Sequence, residues 1–381
     1  MIGTISPPPL KRRKLHVAAV TPVADRAKAS VKIDLYSWNV NGIGPFIQQS
    51  ITSFFKPTSK SGPSSADTSP SLREFLRSHA WPTFLFLQEV KIRADDTRTR
   101  RAVQRAVARQ SGEDQDAPDY VAHFMLPKDP PNARGFGGKV YGVCSVIRKD
   151  FYDTYVERVR DVTWDQEGRF SVIETKAVGS QPKFAIYNVY MVNGTDNPYK
   201  DALTGEVKGT RHDRKLAVHA LLAAECRKLA SEGYEVIIAG DINIARAPID
   251  GHPNLRTSPQ QHVLNRQDFE SRFFVTADGD ATAVVDRAGG HAVALLPITG
   301  LGMIDVFRQL HPSTKAYSYY PRGRPFGSSC DRVDMILCPP RLAAKCTAAG
   351  ISATPGDRGP SDHVPIHASF SFDEFEGVGD G

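Results

Sequence analysis

Glu235-Val236-Ile237-Ile238-Ala239-Gly240-Asp241-Ile242-Asn243 is the stretch on which the reading of this chain turns. Val236 to Ala239 is an apolar run rich in β-branched residues, which reads as a strand buried on both faces. The run then meets Gly240 and releases Asp241 and Asn243 two positions apart, so both side chains leave on one side of the strand. A carboxylate and a carboxamide at the mouth of a buried strand are costly unless they have partners or a task. Alone, Gly-Asp-x-Asn also suits a plain strand-ending turn. Other strands in the chain end the same way, and that tips the reading toward a site.

Lys32 to Val40 alternates and exits through Trp38-Asn39-Val40-Asn41-Gly42. Thr83 to Leu87 is a second buried strand, and it releases Gln88, Glu89 and Lys91. Lys183 to Met191 ends in Tyr190-Met191-Val192-Asn193-Gly194, after the strand-like runs Val140–Ile147 and Arg169–Thr175. Further on, Met303 to Leu310 carries Asp305 and Arg308, and Val333 to Cys338 opens at Asp334. Ser361-Asp362-His363 precedes the alternating run Val364 to Phe372. Helical spacing is expected over Leu72–His79, over Asp95–Gln110 and over the segment containing Leu216, Ala223 and Cys226; residues 245–290 read mostly as loop. Alternating strands outnumber helices, which points to packed sheets covered by helices.

Composition sets the outer bounds. With 381 residues and 40% hydrophobic content the chain can bury a large core. A net charge of +6 and a pI near 9.0 permit a polyanionic partner without demanding one. The cysteines (Cys144, Cys226, Cys330, Cys338, Cys346) are five, with no Cys-x-x-Cys pair, which disfavours a disulfide framework or a zinc site and fits a reducing compartment. No apolar run approaches the ~20 residues of a membrane span, so a soluble intracellular protein without a membrane partner is expected. Residues 1–30 read as a disordered tail whose Lys11-Arg12-Arg13-Lys14 suits nuclear import. Residues 31–372 read as one catalytic unit with a flexible Ser/Pro-rich insertion at 51–70, and 373–381 as a tail.

The polar strand exits together give Asn39, Glu89, Tyr190, Asp241, Asn243, Asp305, Asp334, Asp362 and His363. Several carboxylates with carboxamides, one histidine and no cysteine describe a hard, oxygen-rich site of the kind that suits Mg²⁺ or Mn²⁺. A divalent cation beside a histidine and a tyrosine is a kit for attacking a phosphodiester. No Ser-His-Asp spacing or Gly-Lys phosphate loop is present, so acyl transfer and nucleotide-triphosphate hydrolysis are poor rivals.

Trp38–Gly42, Leu87-Gln88-Glu89-Val90-Lys91, Gly240–Asn243, Arg332-Val333-Asp334 and Ser361-Asp362-His363 resemble the endonuclease/exonuclease/phosphatase superfamily, and within it the exonuclease III-type abasic-site endonucleases. Glu167-Gly168-Arg169, Ile249-Asp250 and Asp305-Val306-Phe307-Arg308 are supporting matches, and the resemblance runs in order from about 33 to about 370. It implies a DNase I-like four-layer α/β sandwich of two packed mixed sheets flanked by helices. It implies Glu89 as the principal metal ligand, with Asn39, Asn41 and Asp362 as further ligands. Asp241 would orient or deprotonate the attacking water, Asn243 would hold that water or a phosphate oxygen, and His363, oriented by Asp334, would donate to the phosphate with Tyr190 and Asn193. Arg211, Tyr319 and Val333 are expected to meet substrate, Asp305 to buttress Tyr190 or its loop, and Arg308 to be structural. Arg134, Lys139, Arg214 and Arg246 lie near motif loops, where phosphate contacts are plausible. The chain departs from the family pattern at Val90 (usually Thr), at Val192 (often Pro) and at Asp331, where a pocket Trp is usual.

The activity implied is Mg²⁺-dependent cleavage of double-stranded DNA at abasic sites with trimming of 3′ ends, by a nuclear monomer serving base excision repair. Two alternatives stay open: a same-fold phosphodiesterase or phosphatase on another phosphate ester, such as an RNA end or 3′-blocking adduct, and a catalytically degenerate scaffold bound to the sliding clamp. The second draws on Gln48, Ile51, Phe54 and Phe55, which match the clamp-binding peptide pattern; with Ile47 they also fit a helix covering the core.

Overall fold

The structure, a computed structural model, describes residues 31–47, 71–132, 141–178, 182–274 and 300–372. The basic run Lys11–Lys14, the peptide residues Gln48, Ile51, Phe54 and Phe55, and Arg134 and Lys139 lie outside the described residues.

Two six-stranded sheets form the centre. The first contains β1 (Val31–Asn39), β2 (Phe84–Gln88), β3 (Tyr120–Met125), β4 (Val143–Arg148), β15 (Cys346–Ile351) and β16 (Ile366–Phe372), in the order β15-β16-β1-β2-β4-β3. The second contains β5 (Val156–Arg160), β6 (Phe170–Thr175), β7 (Lys183–Tyr190), β10 (Tyr234–Asp241), β12 (Ile304–Asp305) and β14 (Asp334–Cys338), in the order β12-β14-β10-β7-β6-β5. Two short ladders lie outside them: β8 (Pro198–Lys200) with β9 (Val207–Thr210), and β11 (Gly251–His252) with β13 (Cys330–Asp331). The helices used below are α1 (Gly44–Ile47), α2 (Leu72–Ser78), α3 (Thr97–Val107), α4 (Lys149–Tyr155), α5 (Arg211–Ser231), α6 (Gln261–Phe273) and α7 (Val306–Leu310).

Three apolar layers account for the stacking. Strand alternation gives each sheet two faces. Ile33, Leu35, Phe84, Phe86, Ile186, Ile237 and Ile336 meet between the sheets. On the outer face of the first sheet, Leu85, Leu87 and Val146 pack against Phe46 of α1, Leu72 and Leu76 of α2 and Val103 and Val107 of α3. On the outer face of the second, Tyr187, Val189, Val236 and Ile238 pack against Val218, Leu222 and Cys226 of α5 and Phe269 and Phe273 of α6. Helix, sheet, sheet, helix is the four-layer sandwich, with both sheets mixed: β1 runs parallel to β2 and β7 to β10, their other neighbours being antiparallel.

The region expected to be mostly loop at 245–290 instead carries α6. Asn265, Phe269 and Phe273 are buried at four-residue spacing, a helical stripe that two phenylalanines anchor against α5. The other boundaries moved by a residue or a few, except that Met303–Leu310 divides into β12 and α7, with Asp305 capping the helix through Arg308 N.

Parallel pairing positions the site. In register, Asn39 of β1 lies beside Gln88 of β2, and Tyr190 of β7 beside Asp241 of β10. Asp334 opens antiparallel β14 directly across from Asp241. Polar exits therefore gather at one end of the sandwich. Below them a buried polar seam ties the sheets: Gln88 Nε2 donates to Asn188 Oδ1 at 2.8 Å, and Asn188 Nδ2 donates to the Cys144 carbonyl at 3.0 Å. Gly240 is required where it stands. Its φ is +150°, and a Cβ there would lie 1.9 Å from the Val189 carbonyl oxygen.

Candidate active site

Backbone conformation marks the site before any side chain is considered. Among the described residues, Asn41, Glu89, Lys91 and Asn243 are four of six non-glycine residues with positive φ, between 49° and 56°. Such backbone costs free energy and persists only where the surroundings enforce it. All four stand within three residues of the ends of β1, β2 and β10.

Asn39 is the hinge of the cluster: its Nδ2 donates to Glu89 Oε1 at 3.1 Å and to Asp241 Oδ2 at 3.0 Å, joining one carboxylate from each sheet. Its Oδ1 accepts from Asn41 N at 3.0 Å, and Asn41 Nδ2 donates to Asp362 Oδ1 at 3.0 Å. Lys91 Nζ lies 3.0 Å from Glu89 Oε2 and also bonds Asn41 Oδ1. An ammonium resting on a carboxylate and a carboxamide oxygen shows that this spot favours a cation and offers oxygen donors. Burial would raise the Glu89 pKa, but Lys91 and hydrogen bonds from Tyr190, Asn39 and Lys91 hold it below the ordinary carboxylate value. Glu89 is thus an ionised ligand-type group, and the donor set of Glu89, Asn39, Asn41 and Asp362 fits a hard divalent cation.

His363 sits between two buried carboxylates. Its Nδ1 is 2.8 Å from Asp334 Oδ2 and its Nε2 is 3.8 Å from Asp241 Oδ2. Burial works against the imidazolium, yet Asp334 and Asp241 together push its pKa up to about 10. The ring is therefore a protonated donor at neutral pH. Its backbone is fixed from two sides: Trp38 Nε1 donates to the His363 carbonyl at 3.0 Å, and the His363 amide donates to Ser361 Oγ at 3.1 Å. Asp241, Asp334 and His363 also lie close enough to one another to suggest a metal triad. With Nδ1 bonded to Asp334, the trio reads better as an oriented imidazolium than as a ligand set. Burial pushes the Asp241 pKa up, offset in part by His363, to about 7. Asn243 donates from its amide nitrogen to Asp241 Oδ1 at 2.9 Å and from Nδ2 to the Met191 carbonyl at 3.0 Å.

Tyr190 is clamped from behind. Its hydroxyl bonds Glu89, and burial together with Glu89 raises its pKa well above the ordinary value. The Arg169 guanidinium lies 4.6 Å from its ring centroid, and Arg169 in turn pairs with buried Glu167 at 2.8 Å. Asp305, expected to buttress Tyr190 or its loop, does something else. It pairs with Arg332 at 2.7 Å and Arg246 at 3.5 Å, inside a network in which Asp250 holds Arg332 at 2.7 Å and Arg308 at 2.5 Å. Arg308 is structural, as expected.

A cavity of about 210 Å³ opens against this cluster, and Asn193, Tyr319 and Val333 line it, as do Glu89, Asp241, Asp362 and His363. The Tyr319 ring stands 5.0 Å from that of His363. Arg211 is not among the lining residues: its fork is spent on Glu167 at 3.0 and 2.7 Å. Arg246 is bonded to Glu270 at 2.5 and 2.8 Å, and Arg214 donates to the Trp164 carbonyl at 3.1 Å. The motif-adjacent arginines on the described chain therefore serve carboxylates and carbonyls already present.

Residues missed in the sequence line the same cavity: Lys215, Arg256, His262, Asn265 and Arg266. Lys215 was legible in principle. The buried stripe of α5 runs His212, Lys215, Val218, His219, Leu222, Ala223 and Cys226, so a lysine rather than Leu216 occupies a core position. Asp331, which stands where the family pattern has a Trp, is bridged by Arg256 at 2.9 Å, so its charge is balanced within the pocket.

The profile of the Endonuclease/Exonuclease/phosphatase family matches residues 36–363. No curated protein matches the chain in sequence. Among solved structures, an AP endonuclease from Archaeoglobus fulgidus is similar at 19% identity, covering 89% of this chain and 99% of that one, with a TM-score of 0.54. A 3′ phosphatase from Neisseria, solved with a product DNA hairpin, is similar at 20% identity, with the same coverage and a TM-score of 0.54. The APE2 catalytic domain of Xenopus laevis is similar at 18% identity, covering 89% of this chain and 93% of that one, with a TM-score of 0.56. At these identities the likeness establishes the fold.

Proposed function

The chain belongs to the endonuclease/exonuclease/phosphatase family, and from that premise we propose that it is a Mg²⁺-dependent DNA phosphodiesterase that incises abasic sites and trims 3′ ends in base excision repair. The single observation that carries this reading is the junction at Asn39, which joins Glu89 of one sheet exit to Asp241 of the other beside a protonated His363.

Glu89, Asn39, Asn41 and Asp362 would hold Mg²⁺, with Mn²⁺ an acceptable substitute; bound there, the ion neutralises phosphate charge and polarises the P–O bond. Asp241, whose pKa sits near neutrality, accepts a proton from the attacking water. Asn243, fixed by Met191 and Asp241, directs that water. His363 donates to a non-bridging oxygen as negative charge grows, and Asp334 keeps the ring oriented and charged. Tyr190 is held on Glu89 and Arg169, and exposed Asn193 reaches the phosphate from the rim. Nuclear import through Lys11–Lys14 and clamp binding through Gln48, Ile51, Phe54 and Phe55 belong to the same proposal.

A second reading, a same-fold phosphodiesterase acting on other phosphate esters, gains from one observation. The pocket lining carries the Arg256–Asp331 ion pair where the family pattern has a Trp. Purified protein with Mg²⁺ is tested on duplexes carrying an abasic analogue, no lesion, or a 3′-blocked end. Cleavage of the abasic duplex that EDTA abolishes is expected. Cleavage of the blocked end alone moves the assignment to the second reading, and no cleavage of any duplex overturns both.

A further inference from the structure

The cavity beside the phosphodiester centre is lined by both acidic and basic side chains. Glu89, Asp241, Asp362 and Asp331 are its carboxylates; Lys215, Arg256 and Arg266 are its cations, and His262 stands among them with its pKa lowered by burial and by these cations. Lys215 is 2% exposed, and its ammonium makes one hydrogen bond, to the Asn243 carbonyl at 2.8 Å. Among the described residues no carboxylate oxygen lies within 4.0 Å of that nitrogen. An ammonium has three donors, so two remain for the cavity it lines. A buried cation with a neutral partner is poorly compensated, and burial pulls its pKa down to about 7 against the pull of Asp241. Arg266 adds a second unneutralised cation: it donates to the carbonyls of Ala245 at 2.8 Å and Arg256 at 2.9 Å and forms no ion pair among the described residues. Asn265, itself a lining residue, bonds His212 Nδ1 through Nδ2 at 2.9 Å, and a Cβ on Gly194 would come within 2.6 Å of the same histidine. The lining at Gly194, His212 and Asn265 is packed closely rather than left as open surface.

We propose that Lys215, with Arg256, His262 and Arg266, forms a subsite for a second oxyanion, a carboxylate or phosphate carried by the group esterified to the scissile phosphate. Among the 3′-blocked ends already proposed as substrates, this subsite would discriminate by the charge of the blocking group. The subsite rests on the phosphodiesterase reading above. In the step it serves, water attacks phosphorus, the P–O3′ bond breaks, the 3′ oxygen leaves with a proton, and the anionic phosphomonoester departs with the water oxygen. The arriving anion displaces Asp331 as the partner of Arg256 and supplies Lys215 with its missing counter-charge.

Three duplexes ending in a 3′-phosphodiester separate the possibilities: carboxymethyl, 2-phosphoethyl and neutral 2-hydroxyethyl. The protein with Mg²⁺ is expected to show a kcat/KM about tenfold or more higher on one or both anionic esters than on the neutral one, as charge-assisted hydrogen bonds allow. The carboxymethyl and 2-phosphoethyl arms tell a carboxylate from a phosphate. Lys215→Met should bring the anionic-to-neutral ratio close to one, Lys215→Arg should keep most of it, and Arg256→Gln, at a half-exposed position, should lower it in part. Urea midpoints of the variants show that each is folded. Equal rates on all three esters with the unaltered protein overturn the subsite alone. So does a Lys215→Met variant that loses rate on all three in the same proportion. No hydrolysis of any of them overturns the phosphodiesterase reading and the subsite with it.

Discussion

Replacing Glu167 by Gln should cost the protein about 3 kcal/mol of stability and much of its activity, because one buried carboxylate answers for two arginines. Glu167 is 1% exposed and receives Arg169 at 2.8 Å and the Arg211 fork at 3.0 and 2.7 Å. Burial opposes its charge, but Arg169 and Arg211 hold its pKa down at about 2. Against an unfolded value near 4.5, that is about 2.5 pH units, or roughly 3 kcal/mol of preference for the ionised form in the fold. Mutational experience with buried pairs that lose one partner, about 3–5 kcal/mol, brackets the same figure. The sign follows from the depressed pKa. The contribution is complete above about pH 4.5 and is lost as pH falls toward 2, so by pH 3 less than half (~1.4 kcal/mol) remains. Urea unfolding of both proteins at pH 7 and at pH 3 measures this directly. With an m-value of about 3 kcal/mol/M, the midpoint should drop by roughly 1 M at pH 7 and by less than half of that at pH 3. Activity should fall as well, because Arg169, left unpaired, no longer holds Tyr190 against Glu89. A loss below 0.5 kcal/mol at pH 7, or an equal loss at both pH values, would refute the reasoning.

Other positions give sharp outcomes. Gly240→Ala places a Cβ 1.9 Å from the Val189 carbonyl in the central strand pair, and a loss of about 4 kcal/mol or more is expected, read as soluble yield and urea midpoint. Burial holds the His219 pKa down to about 4, against a hydrogen bond to Asp268. The unfolded chain therefore binds the extra proton first, and stability should fall by on the order of 3 kcal/mol between about pH 6.5 and pH 4. His219→Gln should flatten that part of the stability–pH curve. Asp334→Asn removes the carboxylate bonded to His363 Nδ1. The imidazole pKa should drop toward its ordinary value, and the rate should fall by about 10²–10³ at pH 7, more steeply as pH rises.

How much was legible in the sequence depended on the range of the interaction. Strands β1, β2, β7 and β10 declared themselves through local alternation and apolar runs, and the polar residues at their exits were visible because strand direction is a local property. Gly240, Asn41, Glu89 and Asn243 needed no partner to be noticed. The balance of charge across the chain was hidden. Arg211 lies next to the motif loops, yet its fork goes to Glu167, 44 residues earlier. Asp305 was expected near Tyr190 and went to Arg332, because a buried guanidinium at 0% exposure demanded two carboxylates. The acidity of Asp331 looked anomalous only while Arg256, 75 residues away, was not known to face it. Lys215 was missed for a different reason: the helical spacing was read as starting at Leu216, whereas the buried stripe, which holds His219, Leu222, Ala223, Cys226 and Leu229 as expected, takes Lys215 into its first turns instead. Arg256, His262 and Arg266 were hidden because they lie in the segment read mostly as loop, two of them on α6.

The most direct test of the account is the dependence of single-turnover DNA cleavage on Mg²⁺ concentration for the unaltered protein and for Glu89→Gln. The account predicts a saturable metal requirement that EDTA abolishes, and in the variant a requirement displaced to much higher Mg²⁺ with a rate at least about 10²-fold lower. Cleavage that proceeds without metal, or a Glu89→Gln protein with an unchanged Mg²⁺ dependence and rate, would contradict it.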